Sequence, residues 1–261
     1  MAGTTTVRRF DMGRVFRNGF AVFNRFPVTL LAIGALLTFP TVIATDWANL
    51  HLIGPRPPAD DIPASLRRIG MLGLVGLLAA GIGWLRVAAV ALCVVAAEAG
   101  EARLDYGALV SKLLARLPTL YLLGVVSALG IALGLVLLII PGLIIALAWS
   151  LGPIVAMRED KSLSLVLSRS AALTSGYRIQ IFGIYLLFFL AGAALEALAR
   201  AALGVPLLAN QPSDPALDYI VQPAISAVLG AIEAAILAAA YTELRMVKEG
   251  ATSDQVARTF S

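Results

Sequence analysis

Two charges buried in apolar sequence are the residues best placed to do chemistry. A charge at the centre of a bilayer costs about 2.5–3.5 kcal/mol on insertion scales unless it is paired or wetted. Arg86 lies in the apolar run 69–97 and Glu233 in the run 220–241. Counted along ideal helices, both fall near mid-membrane. There they would either pair and fix helix register, or form a site that moves or binds protons, ions or headgroups. Glu196 and Arg200 stand four apart near the end of another run, the spacing of an intrahelical ion pair.

Other chemistries find little support. A metal-assisted hydrolase needs clustered His, Asp and Glu ligands. This chain has one histidine, His51, with Asp60 and Asp61 on the same proline-bearing loop. Its one cysteine, Cys93, sits inside an apolar run, so neither a disulfide framework nor a thiolate cluster is expected. No serine, cysteine or lysine stands with an evident base, and no phosphate-cradling glycine loop occurs. The expectation is a protein without catalytic residues, metal or cofactor.

The elements that must hold these charges follow from composition. Of the 261 residues, 59% are hydrophobic and 14% charged, and mean hydropathy is +0.89; soluble domains carry about 25% charged residues. Lipid is therefore the expected solvent. Six apolar runs are of spanning length: 28–45, 69–97, 119–140, 142–157, 179–198 and 220–241. The third and fourth form one stretch too long for a single crossing of a core about 30 Å thick. A reversal at Pro141-Gly142 is expected, where proline removes a donor and glycine accepts turn dihedrals.

A net charge of +4 would suit nucleic acid, but the basic residues sort by membrane side instead, and no nucleic-acid partner is expected. Fifteen of the 20 lysines and arginines fall on one side, and Arg56, Arg67 and Arg68 on the other. The positive-inside rule then puts both termini in the cytoplasm. Thr6-Val7-Arg8-Arg9-Phe10 resembles a twin-arginine export signal, but the apolar run starts only at Val28, so the first span is expected to be retained. The expected layout is one six-span domain over 1–250 and a short cytoplasmic tail over 251–261.

Each pair of spans is preceded by a segment of helical period with a basic face. In the first, Met12, Phe16, Phe20 and Phe23 share a side away from Arg14, Arg17 and Arg25. In the second, Tyr106, Leu109, Leu113 and Leu117 oppose Lys112 and Arg116; in the third, Leu163, Val166 and Leu167 oppose Ser168 and Arg169, with Arg178 at the junction. Such helices lie in the interface with their arginines at anionic headgroups. The expected partners are membrane lipids and a membrane protein. A threefold repeat of this kind also admits a small permease with a midplane site at Arg86 and Glu233. Gly130 with Gly134, and Gly70, Gly73 and Gly76, are spaced for close helix approach. Trp47, Trp84, Trp149, Tyr177 and Tyr241 include candidate interfacial anchors.

A family resemblance rests on Ile140-Pro141-Gly142, on Trp149-Ser150-Leu151 with Pro153, and on Arg169-Ser170 followed by Leu173-Thr174-Ser175-Gly176-Tyr177-Arg178. Ile181-Phe182-Gly183 and the late Tyr241-Thr242-Glu243-Leu244-Arg245 add to it. The chain resembles the bacterial family named for the membrane domain of glycerophosphoryl diester phosphodiesterase, together with its YciC-like inner-membrane relatives. The resemblance implies a six-span bundle in a bacterial inner membrane and no assigned catalytic residues. The phosphodiesterase chemistry belongs to a separate barrel domain with no counterpart in this sequence. Taken together, the reading is an all-α polytopic protein of three hairpins, each led in by an amphipathic helix, that organises lipids or partner proteins.

Overall fold

Three aspartates set the starts of three helices. Asp11 Oδ1 accepts from the Arg14 amide at 3.2 Å, Asp61 Oδ1 from Ala64 at 3.0 Å and Asp105 Oδ1 from Ala108 at 3.0 Å. Each satisfies an amide that the helix leaves orphaned. In the computed structural model, residues 9–53, 57–58, 60–100, 104–159, 162–206 and 216–250 are described. Arg8, Arg56, Arg103, Lys161, Arg258 and the 251–261 tail lie outside them.

The helices are α1 (Met12–Arg25), α2 (Pro27–Ala48), α3 (Ile62–Glu98), α4 (Tyr106–Leu137), α5 (Ile139–Trp149), α6 (Gly152–Arg158), α7 (Leu163–Thr174), α8 (Arg178–Ala202) and α9 (Gln222–Glu249). Wider π-helical turns extend α2 at Asn49–Ile53 and lead into α9 at Leu217–Val221. Six helical segments are long and apolar enough to cross a membrane, with α5 and α6 together making the fourth. The chain is an all-α, multi-pass membrane protein.

The reversal between the third and fourth spans is one residue long and earlier than the expected Pro141-Gly142. Leu138 is extended, with φ −165° and ψ 145°, and α5 starts at once. Pro141 then falls in the first turn of α5, where its missing N–H costs nothing. Gly142 lies where the arms touch: a Cβ added at Gly134 would sit 2.7 Å from Gly142 Cα. Trp149 covers Gly130 in the same manner. The triplet Gly70, Gly73 and Gly76, by contrast, has nothing within 4 Å, so its helical spacing packs nothing.

The basic leading segments differ from one another. A break at Phe26 separates α1 from α2, and Gly176, at φ 82°, closes the turn between α7 and α8. The segment expected to stand alone at Tyr106 to Leu117 instead continues through Pro118 into α4 as a single helix of 32 residues. In α1 the buried positions are Val15 and Gly19, which pack on α9, while Phe20 is 43% exposed. Met12, Phe16 and Phe23 are partly buried against the same core, so of the expected apolar side only Phe20 points away from the protein.

At the centre stands α9, packed by α1, α2, α3 and α8. Its buried face is mostly small, including Ala227, Gly230, Ala231, Ala234, Ala235 and Ala238, which allows close approach without knobs of side chain. On the other side, α3 packs on α4 and α6, and α4 on α5. Trp84 lies between helices over Gly152, and Tyr241 is fully buried. Trp84, Trp149 and Tyr241 are thus packing residues, whereas Trp47 is 54% exposed and stacks on His51.

Candidate functional site

One face of α8 and one face of α9 enclose a cleft. Tyr185, Phe188, Phe189, Gly192, Ala193 and Glu196 recur at helical spacing on α8, facing Gln222, Ile225, Ser226, Leu229 and Glu233 on α9. The antiparallel run sets Tyr185 beside the Glu233 end and Glu196 beside the Gln222 end. The cavity holds about 530 Å³. Arg86 enters it from α3.

Gly230 is what lets Arg86 in. A Cβ at Gly230 would lie 2.5 Å from the Arg86 Cζ, so any larger residue occupies the path of the guanidinium. Arg86 Nη1 reaches the buried Thr38 hydroxyl only at 3.5 Å. Its Nε is buried without a hydrogen-bond partner. Glu233 lines the same cavity and feels the Arg86 charge. No contact of 4 Å or less joins them among the described residues, although other pairs meet that distance. Arg86 and Glu233 are brought together in one cavity but not into a register-fixing ion pair.

The sequence reading missed Tyr185, Gln222, Ser226, Thr38 and Gly230. A signal for part of the set was present: Gln222, Ser226 and Glu233 are separated by four and seven residues, which is one helical face. Nothing local flags Tyr185, because its partners lie on other elements. Glu196 also lines the cleft, with Arg200 Nη2 at 2.8 Å from its Oε1, the expected intrahelical pair.

Part of the set behind the resemblance, Arg169, Ser170, Tyr241, Glu243 and Arg245, converges elsewhere, where α1, α6, α7 and the C-terminus of α9 meet, while Pro141, Gly142 and Trp149 stay at the α4–α5 reversal. Arg169 donates through Nε to Glu159 Oε2 at 2.9 Å and through Nη2 to Glu249. Arg245 Nε reaches Glu249 Oε2 at 3.0 Å, and Tyr241 donates to Glu159 at 2.9 Å. Ser170 bonds the Ala148 carbonyl at 2.7 Å, which ties α7 to α5. Glu243, with only 2% of its side chain exposed, meets Arg14 Nε at 3.1 Å. Pro153 is buried in the first turn of α6. Burial works against the Arg169 charge, but the hydrogen bonds to Glu249 and Glu159 outweigh it and hold its pKa above the ordinary arginine value.

This placement corrects part of the expected lipid-facing set. Arg14 turns inward to Glu243 and Asp11. Arg25 stays exposed, although it donates to the Ala97 carbonyl at 3.2 Å and lies over the Phe26 ring. Arg116 and Arg178 are half-buried, while Arg17 and Lys112 are exposed. Glu98, Arg158 and Glu159 belong to the network and carry no signal of it in the sequence: Arg158 Nη1 meets Glu98 at 2.8 Å. Asp61 caps α3, and His51 Nδ1 is 3.0 Å from the Trp47 carbonyl. Among known proteins, no family model, no curated protein and no solved structure matches this chain.

Proposed function

We propose that this is a non-enzymatic inner-membrane protein that binds and organises lipids, with the cleft between α8 and α9 as its lipid site. The observation that carries this reading is the cleft's two-part lining. Phe188, Phe189, Ile225 and Leu229 form an apolar wall, Arg86, Glu233 and Tyr185 a polar floor. Phe189 is 70% exposed, so the cleft is open on the flank of the bundle, where an acyl chain arrives without leaving the hydrocarbon. The exposed Arg17 and Lys112 add attraction for anionic headgroups. Both termini lie in the cytoplasm on this reading, as the distribution of basic residues favours, and the family resemblance supports the same class.

A permease built on the same charges is the second reading. It would need the polar floor to be reachable from both ends, whereas the cleft runs from Tyr185 and Glu233 only toward Glu196 and Gln222. Binding is therefore favoured over passage. The test is purified protein in liposomes and in detergent. Co-purifying lipid that is displaced by a bulky residue in the cleft, without solute flux, supports the first reading; flux abolished in Glu233→Gln supports the second. Reporter fusions at Pro141 and Glu159 are expected on opposite sides of the membrane, and the same side for both would remove the fourth crossing.

A further inference from the structure

The two charges in the cleft narrow the ligand. Opposite charges in a weakly polarisable surrounding attract strongly, and a buried guanidinium or carboxylate is expensive without a partner. Here the fold holds them in one cavity and keeps them apart. Arg86 is steered over Gly230 from α3, its Nε lacks a hydrogen bond, and its Nη1 donates to Thr38 Oγ1 at a long 3.5 Å. Glu233 comes from α9, beside Tyr185 of α8. A group that carries both signs can meet both residues at once.

Each single-sign ligand fails at one of the two. A purely anionic headgroup satisfies the guanidinium, which binds phosphate oxygens in a fork, but it sets a second negative charge near Glu233. A quaternary ammonium balances the carboxylate yet has no N–H to donate to it. A phosphodiester followed by a primary ammonium does both. Its phosphate lies at Arg86 and its ammonium donates to Glu233. The cavity of about 530 Å³ lies within the range of roughly 300–1,000 Å³ usual for small-molecule sites. The apolar wall of Phe188, Ile225 and Leu229 then receives the upper part of an acyl chain, and the opening at Phe189 admits the lipid sideways.

We infer that the cleft is a site for a phospholipid with a zwitterionic headgroup bearing a primary ammonium, an ethanolamine-type lipid, clamped between Arg86 and Glu233. This rests on the reading of the cleft as a lipid site. Gly192 supplies a clean block, because a Cβ there meets only Leu229 Cδ1, at 3.5 Å. Alanine fits at that position, while phenylalanine fills the cleft.

The experiment uses the full chain in nanodiscs containing equal fractions of ethanolamine, choline and glycerol phospholipids, with retained lipid read by native mass spectrometry. Wild type and Gly192→Ala are expected to retain the ethanolamine lipid roughly tenfold over the choline lipid, the worth of one charge-assisted hydrogen bond. Glu233→Gln is expected to lose that preference while holding the glycerol lipid as well as or better than wild type. Gly192→Phe is expected to retain none. Equal retention of all three lipids, abolished by Gly192→Phe, overturns the zwitterion assignment and leaves the lipid site standing. Retention unaffected by Gly192→Phe overturns both. Soluble phosphoethanolamine that displaces the lipid at comparable concentration overturns the lipid source in favour of a free solute.

Discussion

Arginine and glutamate occur in two parts of this molecule with opposite outcomes. At the end where α1, α6, α7 and α9 meet, each has an opposite charge in contact: Arg14 with Glu243, Arg158 with Glu98, Arg169 with Glu159, and Arg245 with Glu249. In the α8–α9 cleft, Arg86 and Glu233 share a cavity without touching. Packing differs in the same direction. The apolar stretch of α8, which of the two regions borders only the cleft, is 11% buried, against 61% for that of α9, which borders both. Dense packing with paired charge is what fixes a fold. Loose packing with charge held apart is what leaves room for a ligand, and no residue type alone separates the two cases.

The sharpest way to break this comparison is to remove a shared acceptor from the paired region. Glu159 takes hydrogen bonds from both Arg169 and Tyr241, and 11% of its side chain is exposed. Glu159→Ala leaves Arg169 with Glu249 alone and the buried Tyr241 hydroxyl without its acceptor, and is expected to cost about 2–3 kcal/mol, the worth of the hydrogen bonds lost to a charged group. Thermal unfolding in detergent measures it. A loss under about 1 kcal/mol would reduce the network to ordinary surface bridges.

A smaller effect separates two sets of glycines. A Cβ at Gly130 would lie 2.3 Å from the Trp149 ring, while Gly73 has nothing within 4 Å. Gly130→Val is expected to cost about 1–3 kcal/mol by overpacking. Gly73→Val should change stability by less than about 0.5 kcal/mol, the usual range for surface positions. Equal losses for the two, in the same unfolding experiment, would remove the distinction between packed and unpacked small residues.

That distinction marks where the sequence stops being legible. Six spans can be read from apolar runs because hydropathy needs only local composition, and the Glu196–Arg200 pair because i,i+4 spacing is local too. The turn at Leu138 was misplaced to Pro141-Gly142, since proline is as acceptable in the first turn of a helix as in a reversal, and only the contact of Gly142 with Gly134 decides between them. Arg14 reads as lipid-facing because a basic face on a short helix looks interfacial until its partner is known. That partner, Glu243, is 229 positions away. Tyr185 and Gly230 were missed for the same reason. Their roles exist only once α3, α8 and α9 are placed together.

A small expected effect tests the cleft directly. If Arg86 and Glu233 were a register clamp, neutralising either alone would strand the other, lowering stability by about 3–5 kcal/mol, and neutralising both would restore much of it. Held apart as they are, each already lacks that partner. Glu233→Gln and Arg86→Gln are therefore each expected to change stability by less than about 1 kcal/mol, with the double variant additive, because removing an uncompensated buried charge relieves a desolvation cost rather than breaking a bond. Denaturation of the two single variants and the double variant in lipid-free detergent measures the cycle. Coupling above about 1.5 kcal/mol would show that the two charges meet in the folded protein. The cleft would then be closed by its own side chains, leaving the paired end of the bundle no longer different in kind from its middle.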